Sequence, residues 1–350
     1  MQIKAAQYDL LPIHRFGISR ETRTEYPTLF FRLSRKDIVG YGEAFPSGRY
    51  ERSAAEHFDF LQIIEWTVFE HFFNTFQPIP FYNASRDAFE GIDSLISGFT
   101  AAYFDYFAKN FRLSVRELIG LNGLTLAPTS FTIGIDDLGI IERKIYEADA
   151  YPILKIKLGT EYDEAIIRTV RDITDKPLRV DANEAWEPEE AIEKIAWLAE
   201  QNVQLVEQPI PAGQHAKMRR VYKQSALPVF ADEDCRHVED MPILTDCYDG
   251  VNIKLDKCGG IVPALQMMQT ANTYHEMVML GCMVESSAGI APAVALGGGA
   301  DYLDLDGNLL LKNDPFDGPR ANGGIFPESN PLGLGVREKE NIHWEILYDS

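Results

Sequence analysis

From about residue 130 onward the chain repeats one unit, and that repetition limits its fold more than any other feature. Short runs rich in β-branched and apolar residues occur at FTIGI (131–135), ILKIKL (153–158), LRVDA (178–182), QLVEQ (204–208), PVFAD (228–232), GVNIKL (250–255), MVMLGCMVE (277–285) and YLDLD (302–306). Amphipathic stretches such as EAIIRTVRDI and EEAIEKIAWLAEQ lie between them. Parallel strands need a crossover of a dozen or more residues, usually a helix, so this alternation indicates βαβ units. Eight units favour a closed barrel over an open doubly wound sheet. No G-x-G-x-x-G follows the first run, which removes the fingerprint of a dinucleotide-binding sheet. Helical periodicity fades after the eighth run, so the expected fold class is α/β, a (β/α)7β TIM-type barrel lacking its last helix.

The first 120 residues have a different texture. Alternating stretches (IKAAQYDLLPI, TLFFRL, VGYGEA) suggest a small antiparallel sheet, and aromatic-rich helical segments follow. The expected division is an α+β capping domain at 1–120, the barrel at 121–320, and a segment at 321–350 whose GLGVREKENIHWEIL returns to the cap. With 33 basic and 53 acidic residues the net charge is −20, a field that opposes nucleic acid and anionic lipid as partners. No apolar run approaches the ~18 residues of a bilayer span, and the N-terminus turns polar too early for a signal peptide. The four cysteines show no C-x-x-C spacing, so free thiols in a reducing cytoplasm are expected.

In a parallel barrel, functional side chains gather where strands end. Those positions hold Lys155 and Lys157, then Asp181, Glu207, Asp232 and Lys254, with successive separations from Lys157 of 24, 26, 25 and 22. A charge inside a barrel is costly unless partnered, so an ordered series of this kind is hard to obtain from packing alone. Asp181, Glu207 and Asp232 would converge from three adjacent strands. Three like charges demand a cation, and an all-oxygen set selects a hard ion, Mg²⁺, one per subunit. Asn183 is placed to support that set.

Lys155 and Lys157, at i and i+2, share one strand face. Their mutual repulsion is expected to lower the pKa of one ammonium towards a useful base. Lys254 lies four strands further round, almost opposite in an eight-strand ring. Bases on opposite faces of one carbon suit racemisation or epimerisation beside a carboxylate, with the metal stabilising an enediolate.

KIKLG (155–159), VDANEAW (180–186), VEQPI (206–210), ADED (231–234) and NIKLDKCGG (252–260), in that order and spacing, resemble the enolase superfamily and its muconate-lactonizing-enzyme subgroup. The resemblance implies Mg²⁺ ligands at Asp181, Glu207 and Asp232. It also implies bases at Lys157 and Lys254, with Lys155 assisting, a pairing of lysines with Mg²⁺ that the superfamily uses. Asp234 departs from the usual Ser or Thr after the Asp-Glu pair.

The eighth run, YLDLDG, places Asp304 and Asp306 at i and i+2. This looks like the Asp-x-Asp signature of dipeptide epimerases of the L-Ala-D/L-Glu kind. Paired carboxylates are a natural counter-site for a free α-ammonium. The expected function is therefore a dipeptide epimerase that inverts the α-carbon of the C-terminal residue. The alternatives on the same scaffold are an N-acylamino acid racemase, an o-succinylbenzoate synthase or a cycloisomerase. Further substrate-binding candidates are Thr132, Glu285 with Ser286, and Arg20. Arg23, Arg49 and Tyr50 share the two cap loops, where an Arg would suit an acidic second residue. The expected partner is a small-molecule dipeptide, and a cytoplasmic homo-oligomer is expected.

Overall fold

The structure is a computed structural model that describes residues 1–328, 330–339 and 342–350. The alternating N-terminal stretches form β1 (Gln2–Leu10), a short hairpin of β2 (Phe16–Gly17) and β3 (Thr22–Arg23), then β4 (Tyr26–Arg35) and β5 (Ile38–Ala44). Helices α1 (Ala54–Leu61), α2 (Pro78–Ala88), α3 (Asp93–Phe111) and α4 (Val115–Leu118) follow. Helix α3 is buried along almost all of its length against β5. Its Gly98 faces Gly42 so closely that a Cβ on Gly42 would strike the Gly98 carbonyl. That approach seats β5 deeply and brings Glu43 to the cap's inner face.

Eight parallel strands then form in chain order: β6 (Phe131–Ile133), β7 (Leu154–Lys157), β8 (Leu178–Asp181), β9 (Val203–Glu207), β10 (Val229–Ala231), β11 (Gly250–Lys254), β12 (Met277–Gly281) and β13 (Tyr302–Asp304). The ring closes through a parallel bridge between Thr129 and Leu303, beside which the Ser130 N–H donates to the Leu303 carbonyl at 3.2 Å. The crossovers are helical: α5 (Leu138–Glu147), α6 (Asp163–Ile173), α7 (Pro188–Ala199), α8 (His215–Gln224), α9 (Met241–Leu244), α10 (Leu255–Cys258) with α11 (Ile261–Tyr274), and α12 (Ser287–Leu296). Among the described residues after β13 the one helical element is a 3₁₀ turn, Gly307–Leu310, so no eighth barrel helix is present among them.

The observed strands are shorter than the runs in the sequence. Asp232 sits just past β10, Asp306 two residues past β13, and Glu285 four residues past β12. Downstream, β14 (Phe316–Asp317) pairs with β15 (Arg337–Glu338), and β16 (Glu345–Asp349) adds antiparallel to β1. The returning tail therefore completes a cap sheet of order β16-β1-β4-β5; Glu340 and Asn341 of that tail lie outside the described residues. Among the described residues no helix is long and apolar enough to cross a membrane.

Leu205, Phe230 and Met279 pack together inside the barrel, with Tyr302 against them. Arg179 lies there too, donating to the Leu303 carbonyl at 2.6 Å with its guanidinium 5.0 Å from the Tyr302 ring. Charged side chains at the strand ends therefore stand on a filled floor rather than in a pore.

Candidate active site

Register sets the site. Lys157 pairs with Asp181 across β7 and β8, and Asp181 pairs with Glu207 across β8 and β9. Lys254, Gly281 and Asp304 form the matching level on β11, β12 and β13. A cavity of about 170 Å³ opens over this level. It is lined on the barrel side by Thr132, Lys155, Lys157, Asn183, Asp232, Lys254, Asp304 and Asp306, and on the cap side by Arg20, Arg23, Arg49 and Tyr50. Glu285 does not line it: this residue is buried, accepts from the Met283 N–H at 2.9 Å and hydrogen-bonds Asp256. Its neighbour Ser286 caps α12 instead. Strand β12 ends at Gly281, so both lie beyond the strand end rather than on it.

Each carboxylate of Asp181, Glu207 and Asp232 has one oxygen held by the protein. Asp181 Oδ1 accepts from the Asn183 N–H at 2.9 Å, and Glu207 Oε1 accepts from Asn252 Nδ2 at 2.8 Å. Asp232 Oδ1 accepts from Lys257 Nζ at 2.6 Å. The Asn183 bond depends on a turn in which Asn183 (φ 45°) and Glu184 (φ 69°) are both left-handed, an uncommon state for residues with a Cβ.

The second oxygens face ammonium groups. Lys157 Nζ is 2.5 Å from Asp181 Oδ2, and Lys254 Nζ is 2.9 Å from Asp232 Oδ2. Lys155 Nζ reaches Asp304 Oδ2 (2.6 Å), Glu207 Oε2 (2.7 Å) and Asp181 Oδ2 (3.3 Å). Glu207 Oε2 nevertheless has no donor aligned for a hydrogen bond, so Lys155 meets it as a charge alone. One oxygen from each of Asp181, Glu207 and Asp232 lies within 4.8 Å of the others, near enough for one small cation to reach all three. The three pinned carboxylates and the orphaned Glu207 oxygen fit a hard divalent ion such as Mg²⁺.

Electrostatics follow the pairing. Burial would raise Asp181, but Lys157 and Lys155 outweigh it and hold the group at about 2. Glu207 is pushed up to about 7 by burial and by Asp181. Burial disfavours the Lys155 ammonium, yet Asp304, Glu207 and Asp181 raise its pKa well above the ordinary value. The lowering expected from Lys155–Lys157 repulsion is thus overturned at Lys155, because three carboxylates outweigh one neighbouring cation. Lys254 is likewise raised by Asp232 and Glu207 against its burial.

Asp304 and Asp306 both line the cavity, from different settings. Asp304 Oδ1 accepts from Ser130 Oγ at 2.6 Å, and Asp306 Oδ2 accepts from the Thr132 N–H at 2.5 Å. Burial and the Asp304 charge push Asp306 up to about 6. Thr132 thus holds Asp306 through both its backbone N–H and its side chain. Asn252, Lys257, Glu184 and Glu233 escaped the sequence reading. The available signal was the position of Asn252 two residues before Lys254 and of Lys257 three after it.

Residues 141–341 match the family described as "Enolase C-terminal domain-like". The chain belongs to the enolase superfamily. It is 38% identical over 341 residues to a Maribacter L-Ala-D/L-amino acid epimerase, covering 97% of this chain and all of that one. Among solved structures it resembles an Enterococcus faecalis dipeptide epimerase complexed with Mg and L-Leu-L-Tyr (TM-score 0.85, 27% identity, 96% and 98% covered). A Cytophaga hutchinsonii dipeptide epimerase shares its fold (TM-score 0.90, 24% identity, 99% of both chains covered). The relatives named are epimerases, which are isomerases, and the two solved structures share this chain's barrel-and-cap fold.

Proposed function

We propose that this chain is a Mg²⁺-dependent dipeptide epimerase, with Asp181, Glu207 and Asp232 as metal ligands and Lys157 and Lys254 as the two bases. The observation that carries it is the position of the two lysines. They stand on β7 and β11, four strands apart in an eight-strand ring, across the carboxylate triad and beside Asp304 and Asp306. The relatives support the reaction, and the Mg and dipeptide bound in the Enterococcus enzyme support the metal and the substrate class.

The substrate carboxylate belongs at the triad and its α-ammonium at Asp304 and Asp306. Mg²⁺ bound there would neutralise carboxylates that now hold lysines as ammonium ions and would stabilise the charge that grows on the substrate carboxylate as the α-proton leaves. Lys157 and Lys254 face opposite sides of the α-carbon. One takes the proton and the other delivers one to the opposite face, which inverts the centre with no net change of atoms. Lys155, bridging the triad and Asp304, positions both.

A second reading, N-acylamino acid racemisation, gains one observation: Asp304 already has a cation in Lys155. We favour the dipeptide because Asp306, pushed up to about 6, forms no ion pair with a lysine or arginine among the described residues and is held by Thr132. We also take 1–120 with 321–350 as the cap and 121–320 as the barrel, and the protein as a cytoplasmic homo-oligomer; four free thiols support a reducing compartment.

The test is a dipeptide library incubated with enzyme and Mg²⁺ in D₂O and read by mass spectrometry. Deuterium at the C-terminal α-carbon, abolished by EDTA and restored by Mg²⁺, is expected. Exchange confined to N-acyl amino acids, or undiminished in excess EDTA, would reject the proposal.

A further inference from the structure

The triad takes the carboxylate on the C-terminal α-carbon, the two lysines take its hydrogen, and the aspartate pair takes the α-ammonium of the preceding residue, which fixes the direction of the third substituent, the peptide nitrogen. The fourth, the side chain of the second residue, turns towards the cap side of the cavity and the barrel residues beside it. This step rests on the dipeptide reading above.

Three arginines stand in that wall, and each already has a carboxylate. Arg20 Nη2 donates to Glu233 Oε1 at 2.9 Å, while Nη1 donates to the Asn183 carbonyl at 3.0 Å and pairs with Glu184. Arg49 Nη2 lies 2.7 Å from Glu184 Oε1, which also accepts from the Ala212 N–H at 2.9 Å. Arg23 Nε lies 2.9 Å from Glu21 Oε1. Three guanidinium groups thus meet three carboxyl groups.

The pairs are not equally dispensable. The Glu184 and Glu233 side chains are only 9% and 3% exposed, against 36% for Arg20 and Arg49. An acidic substrate side chain that captured Arg20 would strip its cation from two buried carboxylates, and breaking a buried pair in this way is strongly unfavourable. The surface left to meet a side chain is apolar: Phe16, Ile18, Tyr26 and Phe45 from the cap, with Val284 and Leu310 from the barrel. The Tyr26 and Phe45 rings stand 5.8 Å apart and brace each other.

We infer that Arg20 and Arg49 clamp the two cap loops to the barrel at Glu184 and Glu233, and that the second residue is read by the apolar wall, so the substrates are dipeptides ending in an apolar or aromatic residue rather than an acidic one. The clamp grips the loops that follow two proposed metal ligands, since Glu184 is three residues past Asp181 and Glu233 is adjacent to Asp232. Closing the cap and setting the ligands are therefore one event. Arg20 and Arg49 are positioning residues.

The experiment compares kcat/KM of the wild type on L-Ala-L-Leu, L-Ala-L-Phe and L-Ala-L-Glu with that of Arg20→Met and Ile18→Lys, with thermal melts to verify folding. The wild type should favour the two apolar substrates by about tenfold or more. Arg20→Met should raise KM for all three alike and keep their ratio. Ile18→Lys, which adds a cation to the apolar part of the cavity, should shift the ratio towards L-Ala-L-Glu by about tenfold, the order expected for one charge-assisted bond. A wild-type preference for L-Ala-L-Glu that Arg20→Met selectively abolishes would overturn the inference while leaving dipeptide epimerisation standing. Absence of α-deuteration in all three dipeptides would instead overturn the dipeptide reading itself.

Discussion

The barrel mouth and the cap core are both buried, yet they are held together by different forces. At the mouth, Lys155 is 2% exposed and survives there only because three carboxylates surround it. In the cap, Phe31, Trp66, Phe69, Phe81, Phe89 and Phe99 form a wholly apolar cluster, with the Phe69 and Phe99 rings 4.9 Å apart at 72°. Edge-to-face pairs of this kind add to area burial without any requirement for exact charge balance. Every charge at the mouth depends on another charge, whereas each ring in the cap contributes mainly its own packing. The barrel mouth therefore spends stability on function, and the cap core supplies stability and holds the loops that cover the mouth. Substitutions in the two regions should have separable effects.

The largest separation is expected at the lysines. Lys157→Ala and Lys254→Ala should each lower epimerisation by about 10²–10⁴-fold, the range for a positioned general acid or base. Lys257 still pairs with Asp232 in the Lys254 variant, so the fold should persist. One of the two variants is expected to keep exchanging the α-proton of a single stereoisomer, as ¹H NMR in D₂O would show. Near wild-type epimerisation by both would break the two-base assignment.

The converse variant is Phe99→Ala. Phe99 packs its ring against Phe31, Trp66, Phe69, Phe81 and Phe89, so truncation should cost ~3–5 kcal/mol, visible as a lower urea midpoint. Turnover per folded molecule at low temperature should stay within about twofold of wild type. A fall in kcat comparable with that of the lysine variants, at unchanged stability, would show that the two regions cannot be separated.

Asp304→Asn and Asp306→Asn come next. Losing a charge-assisted hydrogen bond costs about 1.5–3 kcal/mol, or roughly ten- to hundredfold in kcat/KM on a dipeptide. The same variants should lose little on an N-acetylated analogue, which has no cation to pair. Equal losses on both substrates would show that the aspartates do not read the amine. Asp306 also gives this subsite a pH dependence. With its pKa near 6 it is ionised above that value and protonated below, so KM for a dipeptide should rise as pH falls through 6.

The same contrast explains what could be read from the sequence. One ionisable residue per βα unit is conspicuous because a barrel interior should be apolar, so Lys157, Asp181, Glu207, Asp232 and Lys254 were legible from spacing. The eight strands and the missing last helix were legible from periodicity. Asn252 and Lys257 were not, because an amide inside a strand and a lysine in a one-turn helix look like ordinary polar residues until the carboxylates they hold are placed. Glu285 was misread as a pocket residue because its run continues past the true strand end at Gly281. Arg20 and Arg49 were visible as loop charges, but their partners Glu184 and Glu233 lie more than a hundred residues away. Pairing across that separation is a property of the fold alone.

One residue belongs to both regions and sharpens the comparison at its smallest expected effect. Glu43 sits on cap strand β5, yet its Oε2 accepts from the Ser286 and Gly289 N–H groups, at 2.9 and 3.1 Å, where barrel helix α12 begins. Burial and the nearby Glu285 push it up to about 8, while bonds from Ser286 and Thr28 pull the other way. Between the ordinary value of 4.5 and about 8, the folded protein holds a proton that the unfolded chain has released. The stability Glu43 contributes is then fully present below 4.5 and lost as pH rises through 8. The slope is at most ~1.4 kcal/mol per pH unit. Glu43→Gln keeps an acceptor for the two N–H groups but cannot titrate, so urea midpoints measured from pH 5 to 8 should fall less steeply than in the wild type. An unchanged slope would mean that the N–H groups of α12 already hold Glu43 as a carboxylate. The cap would then be fastened to the barrel by a fixed charge, the same kind of force that operates at the barrel mouth.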